Sequence, residues 1–204
     1  ACTGFSEPGA AGDVAGITTY AEKVEGGYVL NGNKIWSSDA PTADYVAVLA
    51  RMKGTQRREG HTLFLVDRDA PGCTFVRQIH ALGFSEMGEW SFEDCFVPES
   101  QRATPEGKAW EVSQSRWTTA RYLFGSQCLG LAGRCQDMAV KYVKTRSTFG
   151  QLLADRQGVQ FMLADSEIDL QATRVMVYQA ASRAEQGMDV RHEASIIKVF
   201  ATEM

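Results

Sequence analysis

The sequence predicts an α+β chain: an antiparallel β barrel or sandwich domain followed by part of an up-down helical bundle. Three observations carry this expectation. The first half holds short apolar runs bounded by turn residues, the pattern of a compact β domain. Beyond Pro105 no further proline occurs up to Met204, which suits long helices. Val159, Leu163, Ser166, Leu170, Thr173, Val177 and Ala181 then repeat at three-to-four spacing, placing them on one helical face. The change of texture divides the chain into a β domain over residues 1–105 and a partial helical domain over residues 106–204.

In the first part, Tyr28-Val29-Leu30, Asn31-Gly32 and Asn33-Lys34-Ile35-Trp36 read as a hairpin, because Asn-Gly supplies the two positive-φ positions of a type I′ turn. Residues 45–50 and 62–66 are apolar runs suited to buried strands. Ala70-Pro71-Gly72 reads as a turn, with a strand over residues 73–76 after it. Residues 90–97 partly alternate and stop at Pro98. In the second part, Gly125, Gly130 and Gly133 lie within a helix and permit close helix contact, at about 1 kcal/mol each in helix propensity. Ser147-Thr148-Phe149-Gly150 ends that helix with Gly150 as its cap, and Gly187 ends the next.

Bulk properties narrow the function. A net charge of -4 gives no footprint for a nucleic-acid partner, and the densest basic stretch, residues 51–58, also reads as a polar loop. The five cysteines are scattered without C-x-x-C spacing, which argues against a disulfide framework and fits a reducing compartment. His61, His80 and His192 lack paired-ligand spacing, so no metal site is expected. No apolar run reaches the roughly 18 residues of a membrane span. The chain starts without methionine and finishes inside an apparent helix, so both ends read as cuts.

Three segments could carry chemistry. Ser6-Glu7-Pro8-Gly9-Ala10-Ala11-Gly12-Asp13 is a small-residue loop able to expose backbone N–H groups, although alone a plain surface turn is the simpler reading. Trp36-Ser37-Ser38 sets a flat ring beside two hydroxyls, suited to an aromatic cofactor and its polar edge; alone, a core tryptophan is the simpler reading. Arg146-Ser147-Thr148-Phe149-Gly150 places a guanidinium near a helix end, where it suits either a pyrophosphate or the helix C-terminus itself.

Taken together, these segments resemble the acyl-CoA dehydrogenase family in order and spacing. Gln157-Gly158-Val159-Gln160 with Leu163-Ala164-Asp165 is similar to that family's Q-x-V-Q-x-x-L-A-D stretch. Phe92-Glu93-Asp94-Cys95-Phe96-Val97-Pro98 resembles its F-D-x-V-x-V-P strand, and Leu129-Gly130-Leu131-Ala132 its L-G-x-A helix. The resemblance covers essentially the whole chain. It implies the central β domain and the first half of a C-terminal four-helix bundle, FAD as cofactor, and an acyl-CoA or related thioester as substrate. An electron acceptor such as electron-transfer flavoprotein, a dimeric or tetrameric homo-oligomer and a cytoplasmic or mitochondrial-matrix location are implied too.

Carried over residue by residue, the resemblance places Thr3, Gly4, Phe5 and Ser6 along the flavin ring. Trp36 packs against that ring, with Ser37 beside it and Ser38 near its reactive edge. Arg146, Thr148, Phe149 and Gln157 reach the diphosphate and adenosine, in family members across a subunit interface. Gly12, Thr118 and Arg121 face the acyl thioester; Gly12 replaces the family's usual serine and Thr118 a common acid. No catalytic base is matched. The family base usually lies on a loop beyond the matched stretch, or on the helix immediately before the arginine matched by Arg121, where this chain has Ala120. Glu7 and Glu111 match no family base. The resemblance therefore implies α,β-desaturation by the family's enzymes but no turnover by these 204 residues alone. The alternatives are a same-fold flavoprotein of other chemistry, such as nitroalkane oxidation or oxygenation, or a non-catalytic subunit partnering an active homologue.

Overall fold

The computed structural model describes residues 1–83 and 86–204. They form two compact units, Ala1–Ser113 and Gln114–Met204, and the α+β class is as expected.

The first unit is a seven-stranded sheet: β1 (Cys2–Gly4), β2 (Tyr20–Val24), β3 (Gly27–Ser38), β4 (Tyr45–Met52), β5 (His61–Asp67), β6 (Cys73–Ile79) and β7 (Met87–Pro98). Their order is β1-β4-β2-β3-β7-β6, with β5 on the far edge of β4. Pairing is antiparallel except where β1 and β2 run parallel to β4, end to end along one of its edges. β4 is apolar from Tyr45 to Ala50 because both faces of its middle are covered. Val46, Val48 and Ala50 enter the main core with Tyr28, Leu30, Phe64, Val66, Trp90 and Phe92, while Leu49 enters a second layer with Ala10, Ile17 and Ala109. Each large side chain so buried contributes about 1.5–3 kcal/mol.

Asn31-Gly32 does not turn the chain. β3 runs straight through it, and the β2–β3 turn lies at Glu25-Gly26, where Gly26 has φ +78°. Gly32 is needed for a different reason. Its φ is +143° at a register shift opposite β7, and a Cβ there would stand 2.6 Å from Thr19 Cα. Asn31 meanwhile exchanges hydrogen bonds with Asp94 across the shift, at 3.1 and 2.9 Å. The short β1 and the charged β2 carry too little apolar signal to be read from sequence.

The second unit contains most of α1 (Ala109–Val143), the two-residue strands β8 (Ser147–Thr148) and β9 (Gln151–Leu152), α2 (Gln157–Glu185) and α3 (Arg191–Glu203). Val177 and Ala180 of α2 pack with Ile197 and Ala201 of α3. Leu170, Thr173 and Val177 are buried as the spacing predicts, but Ala180 rather than Ala181 completes the face and Ser166 is exposed. A Cβ on Gly125 would run into Ile197 and lie 3.2 Å from Val177, so this glycine admits both helices. Gly130 and Gly133 meet nothing within 4 Å, contrary to expectation. Gly150 is likewise not a helix cap. α1 closes earlier, with the Thr145 and Arg146 N–H groups on Tyr142 O, and Phe149 and Gly150 form the turn between β8 and β9 at φ +53° and +75°. Gly187, at φ +76°, does end α2.

Replacing Gly32 by alanine is expected to destabilise the β unit by about 3 kcal/mol, because the added methyl meets backbone and the φ is unfavourable. Denaturant unfolding checks this against Gly130→Ala, where space is open and helix propensity improves.

Candidate functional site

The end of β1 and the second half of β3 form one rim. Ile35 N–H donates to Ser6 O at 3.0 Å, so the loop bearing Phe5 and Ser6 lies directly against the strand bearing Trp36 and Ser38. A buried ion pair fixes this junction. Lys34 Nζ donates to Glu7 Oε1 at 2.9 Å and to Phe5 O at 3.0 Å. The Lys34 and Glu7 side chains are only 0% and 4% exposed. Glu7 also accepts from the Thr18 N–H and hydroxyl, both at 2.7 Å, and from Thr19 N–H at 2.9 Å. Burial would raise the Glu7 pKa, but Lys34 and these donors outweigh it and hold the carboxyl down at about 2. Burial pulls Lys34 to about 8, with Glu7 opposing.

Just beyond this pair the strand departs from β geometry. Trp36 has φ +62°, and β3 shifts register against β7 between Lys34 and Ser37. A positive φ is costly for a bulky residue and here turns the indole outward, leaving Trp36 55% exposed. The core tryptophan of the sheet is Trp90 instead, fully buried. Ser38 is also exposed, its hydroxyl 3.4 Å from Met87 Sδ. Ser37 points the other way: its hydroxyl is buried and has no partner among the described residues. The rim thus gathers Gly4, Phe5, Ser6, Trp36 and Ser38, with Thr3 in the β1 ladder opposite Ala47 and Ser37 turned inward. Gly4 is buried there; a Cβ would stand 3.1 Å from Lys34.

The second unit gathers a different set. Arg146, Thr148 and Phe149 share the β8–β9 hairpin, and Gln157 opens α2 shortly after it. Phe149 is fully exposed at its positive φ, and Leu153 N–H donates to Arg146 O at 2.9 Å. The sequence reading passed over Arg156, whose Nη2 donates to Thr148 O at 2.5 Å and Oγ1 at 3.0 Å. Its position outside the recognisable motif hid it.

Gly12 is exposed with open space around it. Thr118 is buried in α1 and donates its hydroxyl to Gln114 O at 2.9 Å; Arg121 follows on the same helix, half-buried. Glu111 pairs with Lys108 at the surface. His61 is buried against Trp110, with ring centroids 5.8 Å apart, and burial, Lys34 and Arg51 together push its pKa down to about 4. Among the described residues no cluster of His, Cys, Asp and Glu could hold a metal, and no helix is long and apolar enough to cross a membrane.

Two family models match the chain: the acyl-CoA dehydrogenase middle domain over residues 2–95 and the acyl-CoA dehydrogenase C-terminal domain over residues 107–204. The chain is 37% identical over 202 residues to benzylmalonyl-CoA dehydrogenase of Aromatoleum aromaticum, covering 98% of this chain and 53% of that protein. It is 35% identical over 201 residues to mitochondrial isovaleryl-CoA dehydrogenase of Oryza sativa subsp. japonica, covering 98% and 49%. Butyryl-CoA dehydrogenase from Megasphaera elsdenii superposes with a TM-score of 0.92 at 31% identity, over 99% of this chain and 54% of that one. The FAD complex of PigA superposes at 0.95 with 27% identity, over 99% and 53%. The chain spans about half the length of the curated relatives it matches.

The titrating groups of the β unit set an acid profile. Both Glu7 and His61 titrate lower in the fold than their ordinary values of 4.5 and 6.5, so the unfolded chain binds the extra protons. Stability is expected to fall as pH drops from 6.5 to about 4 through His61, and again from 4.5 to about 2 through Glu7. Glu7→Gln should flatten the lower window, while costing about 3–5 kcal/mol at neutral pH by leaving Lys34 unpaired. Urea unfolding at stepped pH measures both effects.

Proposed function

Because the chain belongs to the acyl-CoA dehydrogenase family, we propose that it holds FAD and serves the α,β-desaturation of an acyl thioester. The observation that carries this reading is the Trp36 ring, turned outward by a left-handed backbone beside Ser6 and Ser38 and anchored by a buried ion pair. Exposing a large apolar ring at a strained position costs stability that a flat aromatic ligand recovers.

The residues present fit FAD. Trp36 offers a face for the isoalloxazine, and the Ser6 and Ser38 hydroxyls offer donors to its polar edge. The Phe5–Ser6 segment lies along the same rim, and Gly4 keeps the backbone there close to β3. Arg146 supplies a fork for the diphosphate; Thr148, Phe149 and Gln157 supply hydrogen bonds and an aromatic surface for the adenosine. Ser37, with its hydroxyl turned inward, supports the strand rather than the ring. When bound, FAD supplies the electron sink for the oxidation.

On the substrate side, Gly12, Thr118 and Arg121 face the thioester. Thr118 has committed its proton to Gln114 O, so its hydroxyl can only accept from a ligand. Ala120 cannot take the α proton, and Glu111 is engaged with Lys108. These residues bind and orient; none of them acts as base, and the 204 residues alone are expected to show no desaturation. The proposal extends to a β-domain and a helical-domain role for the two units, a homo-oligomer, an acceptor such as electron-transfer flavoprotein, and a cytoplasmic or mitochondrial-matrix location.

One observation favours a second reading. Gly12 and Thr118 depart from the family pattern on the substrate side, while on the flavin rim Ser6 and Ser38 keep a hydroxyl where the family has threonine. PigA, a fold neighbour solved with FAD and proline, makes a flavoprotein acting on a different substrate the alternative. A non-catalytic subunit would lack the flavin altogether.

The purified protein is expected to be yellow and to release FAD on denaturation, and Trp36→Ala to weaken FAD binding about tenfold. Acyl-CoA thioesters should bleach the flavin of the holoprotein when the base is supplied. Colourless protein that takes up no added FAD would contradict the reading. FAD uptake with no bleaching by any acyl-CoA, even with the base supplied, favours the second one.

A further inference from the structure

Arg156 has no role in the matched motifs, yet its guanidinium is built into the turn that carries Thr148 and Phe149. Both N–H groups of Nη2 are spent on Thr148, one on its carbonyl at 2.5 Å and one on its hydroxyl oxygen at 3.0 Å. The guanidinium carbon lies 6.0 Å from the Phe149 ring centroid, within cation–π reach, and Nε is buried without a partner among the described residues. The backbone of Arg156 is pinned as well. Its N–H donates to Leu153 O at 3.1 Å, and its carbonyl accepts from Val159 and Gln160 at 3.0 and 3.1 Å in the first turn of α2.

Two consequences follow. A hydroxyl that accepts from Arg156 has its own proton left to give, so Thr148 is set as a donor pointing away from the guanidinium. The Phe149 side chain, fully exposed on a left-handed backbone, is backed on one side by a cation and open on the other. Among the described residues Arg156 pairs with no carboxylate, and exposed Arg146 stands on the same hairpin. The exposed Arg146 guanidinium, a committed donor and an open aromatic ring are groups suited to a nucleotide diphosphate.

We propose that Arg156 is a positioning residue for the nucleotide half of the cofactor, locking the Thr148–Gly150 turn so that the site selects FAD over FMN. This inference rests on the reading of the hairpin as the adenosine and diphosphate site. Arg156 acts through Thr148 and Phe149 and does not touch the reacting ring.

Dissociation constants for FAD and FMN from the apoprotein, with the melting temperature of each variant, test it. Arg156→Met and Thr148→Val are each expected to weaken FAD about tenfold, the loss for one charge-assisted hydrogen bond left unmade, while FMN affinity and melting stay unchanged. Equal losses for FAD and FMN would make Arg156 a general structural residue and overturn the inference, as would unchanged FAD affinity in both variants. If Arg156→Met does not fold, Thr148→Val keeps the side-chain shape and decides alone. Phe149→Ala separates the two levels. If it weakens FAD while Arg156→Met and Thr148→Val do not, only the positioning role falls; if it too leaves FAD unaffected, the hairpin is not the nucleotide site and both readings fall.

Discussion

The Glu7–Lys34 ion pair is the constraint on which the rim depends. Its two residues come from different elements, and each is a near neighbour of a rim residue: Ser6 precedes Glu7, and Trp36 follows Lys34 by two positions. A buried pair of this kind is not a cheap source of stability, since desolvating both charges offsets most of their attraction. Its value is specificity. With Thr18, Thr19 and the Phe5 carbonyl also engaged, only one alignment of loop against strand satisfies every donor and acceptor. The strained Trp36 backbone can persist because the residues before it are fixed in this way.

The hairpin of the helical unit solves a similar problem by different means. It is too short to form a core, so its shape comes from two positive-φ residues and from hydrogen bonds supplied by Arg156. At both places a large aromatic side chain is held outward on unfavourable backbone, and at the hairpin the half-buried Arg156 guanidinium lies 6.0 Å from the ring. Exposed aromatics elsewhere on the helices, such as Phe161 and Tyr178, sit on ordinary helical backbone and carry no comparable cost.

Much of this was legible in the sequence because the signals were local. Apolar runs marked β4, β5, β6 and β7, and the loss of proline marked the helices. Trp36 and the segment around Phe149 are marked as functional only when the motifs are taken together, since each alone reads more simply as a core ring or a helix end. The failures have physical causes. Asn31-Gly32 has the composition of a turn, but its glycine answers to Thr19, twelve or more residues away in sequence and invisible to a local rule. Gly150 was assigned to the wrong element because a hairpin turn and a helix cap ask for the same positive φ. Ser37 could not be separated from Ser38 until the register shift at Trp36 fixed which hydroxyl faces out. Arg156 and the Lys34–Glu7 contact are tertiary facts with no signature in spacing.

The central claim is that Trp36 lies against the flavin. The chain has four tryptophans, and in the β sheet Trp36 is exposed whereas Trp90 is sealed in the core. Titrating FAD into apoprotein while following tryptophan emission tests the claim most directly, with Trp36→Phe as the comparison. The account expects a saturable loss of emission in the parent protein and little of that loss in Trp36→Phe, which should still bind FAD. An equal loss in both proteins, at equal FAD occupancy, would contradict it.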